Sequence, residues 1–299
     1  MRPFDEEPSL FGRRRAHVLR RPRHREEHRM TSLTASTVCF RQYDLPRALA
    51  TADRLGFGAV DLVGLRGLCE HVPVNGDRAA RRAAAAVFLD SGLRASSVNA
   101  DPGSFDGVDD PAEVMQRVHG LLEFCDEVGA PLLVLPCGEK TADRGAEPAY
   151  RRMADALGEA GEAARRRGIR LAVEAPYFGR PVDTLARTDA LADLLSPDIQ
   201  LALDVSHVIA AGDTVADAWA RFASRVAIVH LRDAVRGDIR RVIGRGEVDF
   251  DEAFRLAAEV GYRGDWVLEL ETRNSPFATK EAEVADAVTR LAALQPARS

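Results

Sequence analysis

The chain has 299 residues, of which 46% are hydrophobic and 29% are charged, and it carries a net charge of −5. This length fits one large domain or two small ones, and no run approaches the roughly 20 uncharged apolar residues that a membrane span requires. The acidic balance argues against a nucleic-acid partner, because such a partner would need a basic face on the protein.

Residues 1–29 differ in composition from the rest of the chain. They hold nine Arg and five acidic residues, show no apolar periodicity, and leave about −9 on the remaining residues. Low hydrophobicity with high charge predicts a disordered basic N-terminal tail, with an RNA- or membrane-binding arm as the alternative. The predicted folded domain therefore covers residues 30–299. Its four cysteines include no C-x-x-C pair, which is typical of reduced thiols in a cytoplasmic protein.

Strand-like apolar runs and helical stretches rich in Ala, Leu and Arg alternate from residue 34 to residue 294. Apolar residues spaced as between Val114 and Cys125 indicate helices, and several helices stop at a glycine just before the next strand, as at Gly92 and Gly129. The predicted strands are 34–40, 59–63, 94–99, 132–135, 169–174, 200–204, 226–230 and 266–271. The predicted helices lie near 45–55, 77–90, 110–128, 146–167, 184–195, 214–223, 250–260 and 279–294.

Eight strands that alternate with eight helices, without a linker between them, predict the α/β class and a single (β/α)8 TIM barrel. The alternative is an open doubly wound sheet, but no G-x-G-x-x-G motif follows the first strand. In a barrel, the side chains at the C-terminal ends of the strands converge on one pocket. Functional residues are therefore expected at those strand ends.

Four consecutive predicted strands end in a carboxylate or an imidazole. Taken singly, each residue has a structural explanation, such as a helix cap or a core histidine. Four in succession are typical of a site for one divalent ion, Mn²⁺, Mg²⁺, Co²⁺ or Zn²⁺, with positions left open for substrate oxygens. The predicted metal ligands are Glu174, Asp204, His230 and Glu269.

Neighbouring polar residues extend this predicted pocket. His207 follows Asp204 by three residues and is expected to hydrogen-bond a substrate hydroxyl or to orient a ligand. Glu271 is the rival of Glu269 for the ligand position, and Glu269 is preferred because it comes first after the apolar run. A helix cap is the alternative for Asp233, and a solvated charge is the alternative for Arg232. The predicted substrate-binding residues are His207, Arg232, Asp233 and Glu247.

These residues occur within motifs that follow one another in a fixed order. The motifs are Asp204-Val-Ser-His207, His230-Leu-Arg-Asp233, Gly244-Arg-Gly-Glu-Val-Asp-Phe250 and Gly261-Tyr-Arg-Gly264. With Glu174 and Glu269, they resemble the sugar phosphate isomerase/epimerase family of the xylose-isomerase-like TIM-barrel superfamily, over about residues 33–294. The resemblance implies one divalent metal bound by the four predicted ligands, with Glu174 and Glu269 as the catalytic acid/base pair and His207 in contact with substrate. The fourth strand departs from the family, since it ends in Leu135-Pro136-Cys137-Gly138 where relatives often place a histidine.

The function favoured by this pattern is a metal-dependent isomerase or epimerase of a ketose, an inosose or a related polyol, acting through a metal-stabilised enediolate. One glutamate would take the proton next to the carbonyl, and the other would return a proton. No Gly-rich loop suited to cradle a phosphate is evident, which favours an unphosphorylated substrate. The expected partner is thus a small sugar or polyol, with no nucleic acid and no membrane, and a homo-oligomer is left open.

Three alternatives remain. A lyase that dehydrates an inosose or 3-dehydroshikimate would use the same site, and the sequence does not separate it from an isomerase. An apurinic endonuclease of the same superfamily would need a multi-zinc cluster rich in histidine, whereas residues 30–299 contain four His. A non-catalytic binding subunit is disfavoured, because all four ligand positions hold residues that can bind a metal.

Overall fold

The described part of the computed structural model, residues 33–138, 147–272 and 274–294, contains eleven strands and nine α-helices. The predicted tail, residues 1–29, lies outside these residues. The strands are β1 (Leu33–Ser36), β2 (Ala59–Leu65), β3 (Cys69–Glu70), β4 (Arg94–Ala100), β5 (Leu132–Pro136), β6 (Arg170–Glu174), β7 (Gln200–Asp204), β8 (Val226–Leu231), β9 (Asp233–Val235), β10 (Asp238–Arg241) and β11 (Asp265–Leu268). The helices are α1 (Leu45–Arg54), α2 (Arg78–Ser91), α3 (Pro111–Val128), α4 (Glu147–Arg166), α5 (Leu185–Ala192), α6 (Val205–Ala211), α7 (Val215–Phe222), α8 (Phe250–Glu259) and α9 (Lys280–Leu294).

Eight parallel strands close into a barrel. β2, β4, β5, β6, β7, β8 and β11 follow one another around the sheet, and β1 pairs with both β2 and β11. Helices surround this barrel in the order that the sequence indicates, so the predicted (β/α)8 TIM barrel is confirmed. The remaining strands are short: β3 pairs antiparallel with the end of β2, and β9 and β10 form an antiparallel hairpin.

The first and last barrel strands are shorter than predicted. β1 stops at Ser36, because residues Thr37–Phe40 form a 3-10 turn that Ser36 caps by accepting a hydrogen bond from the N–H of Val38. β11 stops at Leu268, so Glu269 lies just beyond the strand. The predicted strands 34–40 and 266–271 are therefore wrong at their C-terminal ends.

The helices begin and end close to the predicted residues because local side chains define their termini. The carboxylates of Asp77 and Asp110 accept hydrogen bonds from N–H groups in the first turns of α2 and α3. Gly92 and Gly129 end the same two helices with φ angles of 70° and 69°, a left-handed conformation that glycine adopts at little cost. The ends of α2 and α3 can therefore be predicted from these four residues in the sequence.

Side chains of the barrel strands alternate between two hydrophobic cores. Outward-facing residues such as Leu171, Val173 and Leu203 pack against the helices in the larger core. Because successive residues of a strand point to opposite faces, every second residue faces the barrel interior. The interior core consists of Leu132, Val134, Ala172, Ala202, Ala227, Ile228 and Val267. Ala227 and Ile228 are consecutive because the alternation is interrupted where the register between β7 and β8 shifts.

Two elements at the C-terminal rim were not predicted. The helix α6 begins immediately after β7, and the β9–β10 hairpin begins two residues after β8 ends. Both occupy positions where the sequence suggested loops, and both carry residues near the predicted site. Across the residues that the structure describes, no helix combines the length and the apolar character that crossing a membrane requires.

Candidate metal centre

Four buried side chains meet where the barrel strands end. Each follows an inward-facing core residue by two positions, as Glu174 follows Ala172 and Asp204 follows Ala202. Strand alternation therefore directs all four into the same space. Each residue offers one ligand atom, and these four atoms lie within 4.8 Å of one another. The residues are the four predicted ligands, Glu174, Asp204, His230 and Glu269, and none is more than 4% exposed.

The closest contacts in this cluster join His230 to the two glutamates. Its Nδ1 lies 3.1 Å from Oε2 of Glu269 and 3.7 Å from Oε1 of Glu174. Among the described residues, neither ring nitrogen of His230 has a hydrogen-bond partner, nor does Oε2 of Glu269 or Oδ2 of Asp204. Leaving buried polar atoms unpaired is costly. Grouped oxygen and nitrogen atoms of this kind are ligands for a divalent cation, so the residues fit a single metal ion.

The electrostatics of the cluster favour positive charge at its centre. Burial by itself would raise the pKa of Glu174, but contact with His207 and His230 holds that pKa well below its usual range. Burial would also raise the pKa of Glu269, which the positive charges of Arg232 and His230 instead lower. Burial would lower the pKa of His230, yet the two glutamates raise it well above its usual value. The two glutamates are therefore held in the ionised form, and their buried negative charges favour a cation beside them.

Asp204 both ends β7 and caps α6. Its Oδ1 accepts a hydrogen bond of 2.7 Å from the N–H of Ser206 in the first turn of that helix. This bond fixes the carboxylate and leaves Oδ2 for the cluster. The helix-cap position and the ligand position, which are alternatives at the level of sequence, are therefore compatible in one residue.

His207 lies in α6 with its ring fully buried beside the cluster. The backbone N–H of Phe178 donates a hydrogen bond of 3.0 Å to its Nδ1, so the neutral ring carries its proton on Nε2. That Nε2 lies 3.4 Å from Oε1 of Glu174 and 3.5 Å from Oδ2 of Asp204. The ring of Tyr177 packs on the imidazole with centroids 4.4 Å apart. His207 is thus placed as a hydrogen-bond donor at the cluster.

Arg232 supplies a buried positive charge next to the carboxylates. It is 3% exposed, and its Nη2 lies 2.8 Å from Oε1 of Glu271 and 3.1 Å from Oε2 of Glu269. Its Nε donates a hydrogen bond of 3.1 Å to the backbone carbonyl of Glu269. The guanidinium therefore joins the exits of β8 and β11 and is not the solvated charge considered as its alternative.

Asp233 is fully buried, but its partners belong to the following loop. Its Oδ2 accepts hydrogen bonds from the backbone N–H groups of Gly244, Arg245 and Gly246, at 2.8, 3.1 and 2.9 Å. Its Oδ1 accepts from the N–H groups of Ala234 and Val248, at 2.8 and 3.3 Å. All these donors are backbone groups, so the predicted substrate-binding residue is placed as an organiser of the loop 242–248.

Glu247 and Glu271 lie outside the cluster. Glu247 is exposed on the loop 242–248, and its side chain has no hydrogen bond or ion pair with the described residues of the site. Glu271 is partly exposed and holds Arg232. The structure therefore brings together His207 and Arg232 with the predicted ligands, and it does not bring Glu247 or Asp233 to them.

Cys39 was missed by the sequence analysis as a neighbour of the site. Its thiol donates a hydrogen bond of 3.2 Å to the carbonyl of Leu268 and accepts one of 3.1 Å from the N–H of Leu270. Burial raises the pKa of this thiol to about 12, so it keeps the proton that it donates. The two partners, Leu268 and Leu270, are the residues immediately before and after Glu269. Because 229 residues separate Cys39 from Leu268, no local pattern in the sequence could reveal this contact.

A buried carboxylate also lies on the opposite side of the barrel interior. Asp61 on β2 accepts hydrogen bonds from the hydroxyl groups of Ser36 and Ser97, at 2.9 and 2.6 Å. These three residues come from neighbouring strands, since Asp61 is the register partner of both serines. Burial raises the pKa of Asp61 to about 6. The side chains of Ser36, Asp61 and Ser97 thus add polar groups from β1, β2 and β4 to a barrel whose apolar interior core comes from β5, β6, β7, β8 and β11.

Comparison with known sequences shows which proteins this chain resembles. A family profile described as "Xylose isomerase-like TIM barrel" matches residues 49–294. Inosose dehydratase 2 of Bacillus cereus (strain ZK / E33L) is 28% identical over 144 residues, which cover 42% of this chain and 48% of that protein. The match thus spans about half the length of the curated relatives.

Solved structures resemble the chain over most of its length. The IOLI protein, described with a binding zinc atom, has a TM-score of 0.72 at 16% identity, and the match covers 88% of this chain and 97% of that chain. D-allulose 3-epimerase from Methylomonas sp. has a TM-score of 0.73 at 18% identity, with coverages of 88% and 97%. At these identities the likeness is one of fold.

Proposed function

The chain belongs to the xylose isomerase-like TIM barrel family, and we propose that it is a divalent-metal-dependent isomerase or epimerase of a ketose, an inosose or a related polyol. The proposed metal ligands are Glu174, Asp204, His230 and Glu269. Glu174 and Glu269 are also the proposed acid/base pair. Mn²⁺, Mg²⁺, Co²⁺ and Zn²⁺ all suit this set of oxygen and nitrogen donors.

The observation that carries the proposal is the cluster of unpaired ligand atoms at the ends of four successive strands. Oδ2 of Asp204, Oε2 of Glu269 and both ring nitrogens of His230 are buried without hydrogen-bond partners among the described residues. Their contacts with one another, with Arg232 and with His207 are ion pairs of 3.1 Å or longer. Buried polar groups are almost always hydrogen-bonded, so a bound cation would supply the missing partner. A divalent cation held by these residues would act as a Lewis acid on the substrate carbonyl and would stabilise developing negative charge.

The two glutamates would move protons on the two sides of a bound sugar. Glu174 ends β6 and Glu269 follows β11, and β7 and β8 separate these strands in the barrel wall. The lowered pKa values suit the glutamate that acts as general base and removes the proton from the carbon beside the carbonyl. The other glutamate would enter the step protonated and deliver that proton to the opposite face for an epimerase, or to the adjacent carbon for an isomerase. Proton exchange with water would then restore the starting protonation states.

His207 and Arg232 are the proposed substrate-binding donors of the same site. The N–H at Nε2 of His207 faces the two carboxylates Glu174 and Asp204, where it can donate to a substrate hydroxyl. Arg232 has a guanidinium anchored on Glu269 and Glu271, so its charge is fixed before substrate arrives. Hydrogen-bond donors that are fixed in place before the reaction stabilise the negative charge that develops in the transition state.

A lyase is the second candidate, because the curated relatives that match are inosose dehydratases. The same proton abstraction would then be followed by departure of a hydroxyl on the next carbon. We also propose that the partner is a small molecule and that nucleic acid is not a substrate. Whether the protein forms a homo-oligomer is a question for direct measurement.

The test combines metal content with isotope exchange. Purified protein reloaded with Mn²⁺, Co²⁺ or Zn²⁺ is expected to hold about one ion per chain by elemental analysis, and His230→Ala is expected to lose it. Ketoses and inososes are then incubated with the loaded protein in D₂O. Deuterium at the carbon beside the carbonyl, with the hydroxyl groups retained, supports the isomerase or epimerase, whereas loss of water from the substrate supports the lyase. Failure to bind any ion after reloading would contradict both.

A further inference from the structure

A cavity lies on the C-terminal rim of the barrel, beside the β9–β10 hairpin. Its volume is about 390 Å³, and its lining includes Asp238, Arg240, Arg241, Arg245 and Asn274. Three arginines against one carboxylate give this cavity an excess of positive charge, although the whole chain carries −5. We call it the arginine pocket. A local positive site on an acidic protein concentrates anions.

The guanidinium groups of the arginine pocket are held in place but not neutralised. Oδ1 of Asp238 accepts a hydrogen bond of 3.3 Å from Nε of Arg240, and its Oδ2 lies 3.3 Å from Nε of Arg241. One carboxylate thus orients two guanidinium groups. Among the described residues, no second carboxylate forms an ion pair with Arg240 or Arg241, and none forms one with Arg245. Terminal guanidinium N–H groups bind phosphate and carboxylate oxygens in pairs.

The backbone that carries Arg245 is fixed by buried hydrogen bonds. Asp233 accepts hydrogen bonds from the N–H groups of Gly244, Arg245 and Gly246. Gly246 fits so tightly that a Cβ at its position would collide with the carboxylate of Asp233 and the carbonyl of Ala234. This wall of the pocket is therefore built in advance of any ligand. A preformed wall lowers the entropy cost of binding.

Both walls of the pocket are formed by residues that lie close in the chain, or across the hairpin, to residues of the proposed metal centre. Arg241 is the register partner of Asp233, and the preceding residue is Arg232, whose guanidinium contacts Glu269. The Cα atoms of Arg241 and Arg232 are therefore at most about 9 Å apart. On the other wall, Asn274 follows Glu271 by three residues. Barrel enzymes frequently bind phosphate with the loops after their seventh and eighth strands, which here are β8 and β11.

We propose that the arginine pocket binds an anionic group, a phosphoryl or a carboxylate, carried by the sugar or polyol whose reacting carbons lie at the metal centre. The identity of that molecule as a sugar rests on the proposed function, whereas anion binding by the pocket does not. The sequence favours an unphosphorylated substrate because it lacks a Gly-rich phosphate loop. In the structure, the positive charge comes instead from arginine side chains on the β9–β10 hairpin and on the loop that follows it.

The test measures anion binding without turnover. Inorganic phosphate and malonate are titrated by calorimetry into the metal-loaded wild-type protein, Arg245→Gln, and the double variant Arg241→Gln/Arg245→Gln. Arg263→Gln is the matched control, because Arg263 is also exposed but precedes β11 at the opposite end of the barrel. We expect about fivefold weaker binding for each pocket arginine removed, and wild-type affinity for the control. Circular dichroism and the thermal midpoint verify that the variants fold.

Two results would overturn the proposal. One is an unchanged affinity for both anions in the double variant. The other is anion binding that survives in the double variant and disappears when the metal is chelated, since the anion would then bind at the metal centre. A preference for phosphate over malonate assigns a phosphoryl group, and the reverse preference assigns a carboxylate. Because no turnover is needed, the pocket can fail while the isomerase stands, and the isomerase can fail while the pocket stands.

Discussion

Glu269 and Glu271 lie two residues apart but have different surroundings, and this difference gives the first prediction. Glu269 is 2% exposed and belongs to the ligand cluster, whereas Glu271 contacts Arg232 from a partly exposed position. We expect Glu269→Gln to lower kcat at least a hundredfold, because it removes a proposed base and a metal ligand. Glu271→Gln should change kcat/KM by only a few fold, through a less firmly held Arg232.

Steady-state kinetics and metal content of the two variants check this prediction. Normal turnover by Glu269→Gln, with loss of turnover by Glu271→Gln, would exchange their roles. Both variants keep the side-chain volume, so circular dichroism should be unchanged. A fold lost in both variants would mean that the Arg232 contacts are structural.

Asp61 gives a second prediction, which concerns stability as a function of pH. Burial raises its pKa in the folded protein to about 6, compared with an ordinary value near 4. Between these values the unfolded chain binds fewer protons than the folded one, so the free energy of unfolding falls as pH rises from about 4 to 6. The loss is on the order of 2–3 kcal/mol.

Asp61→Asn should remove this pH-dependent loss, since the amide stays neutral and can still pair with Ser36 and Ser97. Urea denaturation of both proteins at pH 4, 5, 6 and 7 checks the expectation. The stability of the variant relative to the wild type should rise up to about pH 6 and then stay constant. A difference that does not vary with pH would show that Asp61 ionises in the folded protein as it does in the unfolded chain.

Single residues near the site could be predicted from the sequence only where a local pattern marks them. Glu174, Asp204 and His230 stand at the ends of apolar runs, and strand alternation brings them together. The partners of Asp233 are backbone N–H groups that only the folded loop presents, so its role in organising the loop could not be predicted from the sequence. Cys39 has no such mark, because its partners lie at the other end of the chain.

At the scale of elements, the loop 242–248 provides the third prediction. Gly246→Ala should lower the free energy of unfolding by about 1–3 kcal/mol, because the new Cβ collides with Asp233 and with the carbonyl of Ala234. Gly158→Ala is the control. It lies in α4 with nothing within 4 Å of an added Cβ, so it should stabilise the protein by about 0.5–1 kcal/mol.

Chemical denaturation of the two glycine variants checks the opposite signs. The Gly246 variant should also bind phosphate more weakly than the wild type, since the displaced loop carries Arg245. Equal stability for both variants would show that the loop relaxes freely and is not fixed by Asp233.

The elements that the sequence predicts well are those with a repeated period and a local stop. Helices α2 and α3 begin at aspartate caps and end at glycine, so their bounds follow from neighbouring residues. The short elements α6, β9 and β10 were missed because they are too short to show a period. They form where a buried strand exit needs hydrogen-bond partners, as when Asp204 caps α6. That need becomes visible only in three dimensions.

At the scale of the whole molecule, the proposed ligands join four strands of the barrel wall, and this gives the fourth prediction. A cation that binds the folded protein and not the unfolded chain stabilises the fold by about 2.7 kcal/mol at a concentration of 100 Kd. The thermal midpoint should therefore rise when Mn²⁺ or Zn²⁺ is added and fall with a chelator. His230→Ala should abolish this shift.

Differential scanning calorimetry across a series of metal concentrations checks the dependence. A midpoint that is insensitive to metal in the wild type would contradict a site that joins the strands. The Arg245→Gln variant serves as a control here, because it leaves the proposed ligands intact and should keep the full shift.

The closure of the barrel between its first and last strands has a consequence for biosynthesis. β11 docks between β8 and β1, and the proposed ligands extend from residue 174 to residue 269. A nascent chain emerging from the ribosome therefore completes its first half without any ligand, and it cannot assemble the full set until the last strand has been translated. Binding of the proposed ion would thus be a late step in maturation, and a fragment that ends before Asp265 can neither close the barrel nor supply all four proposed ligands.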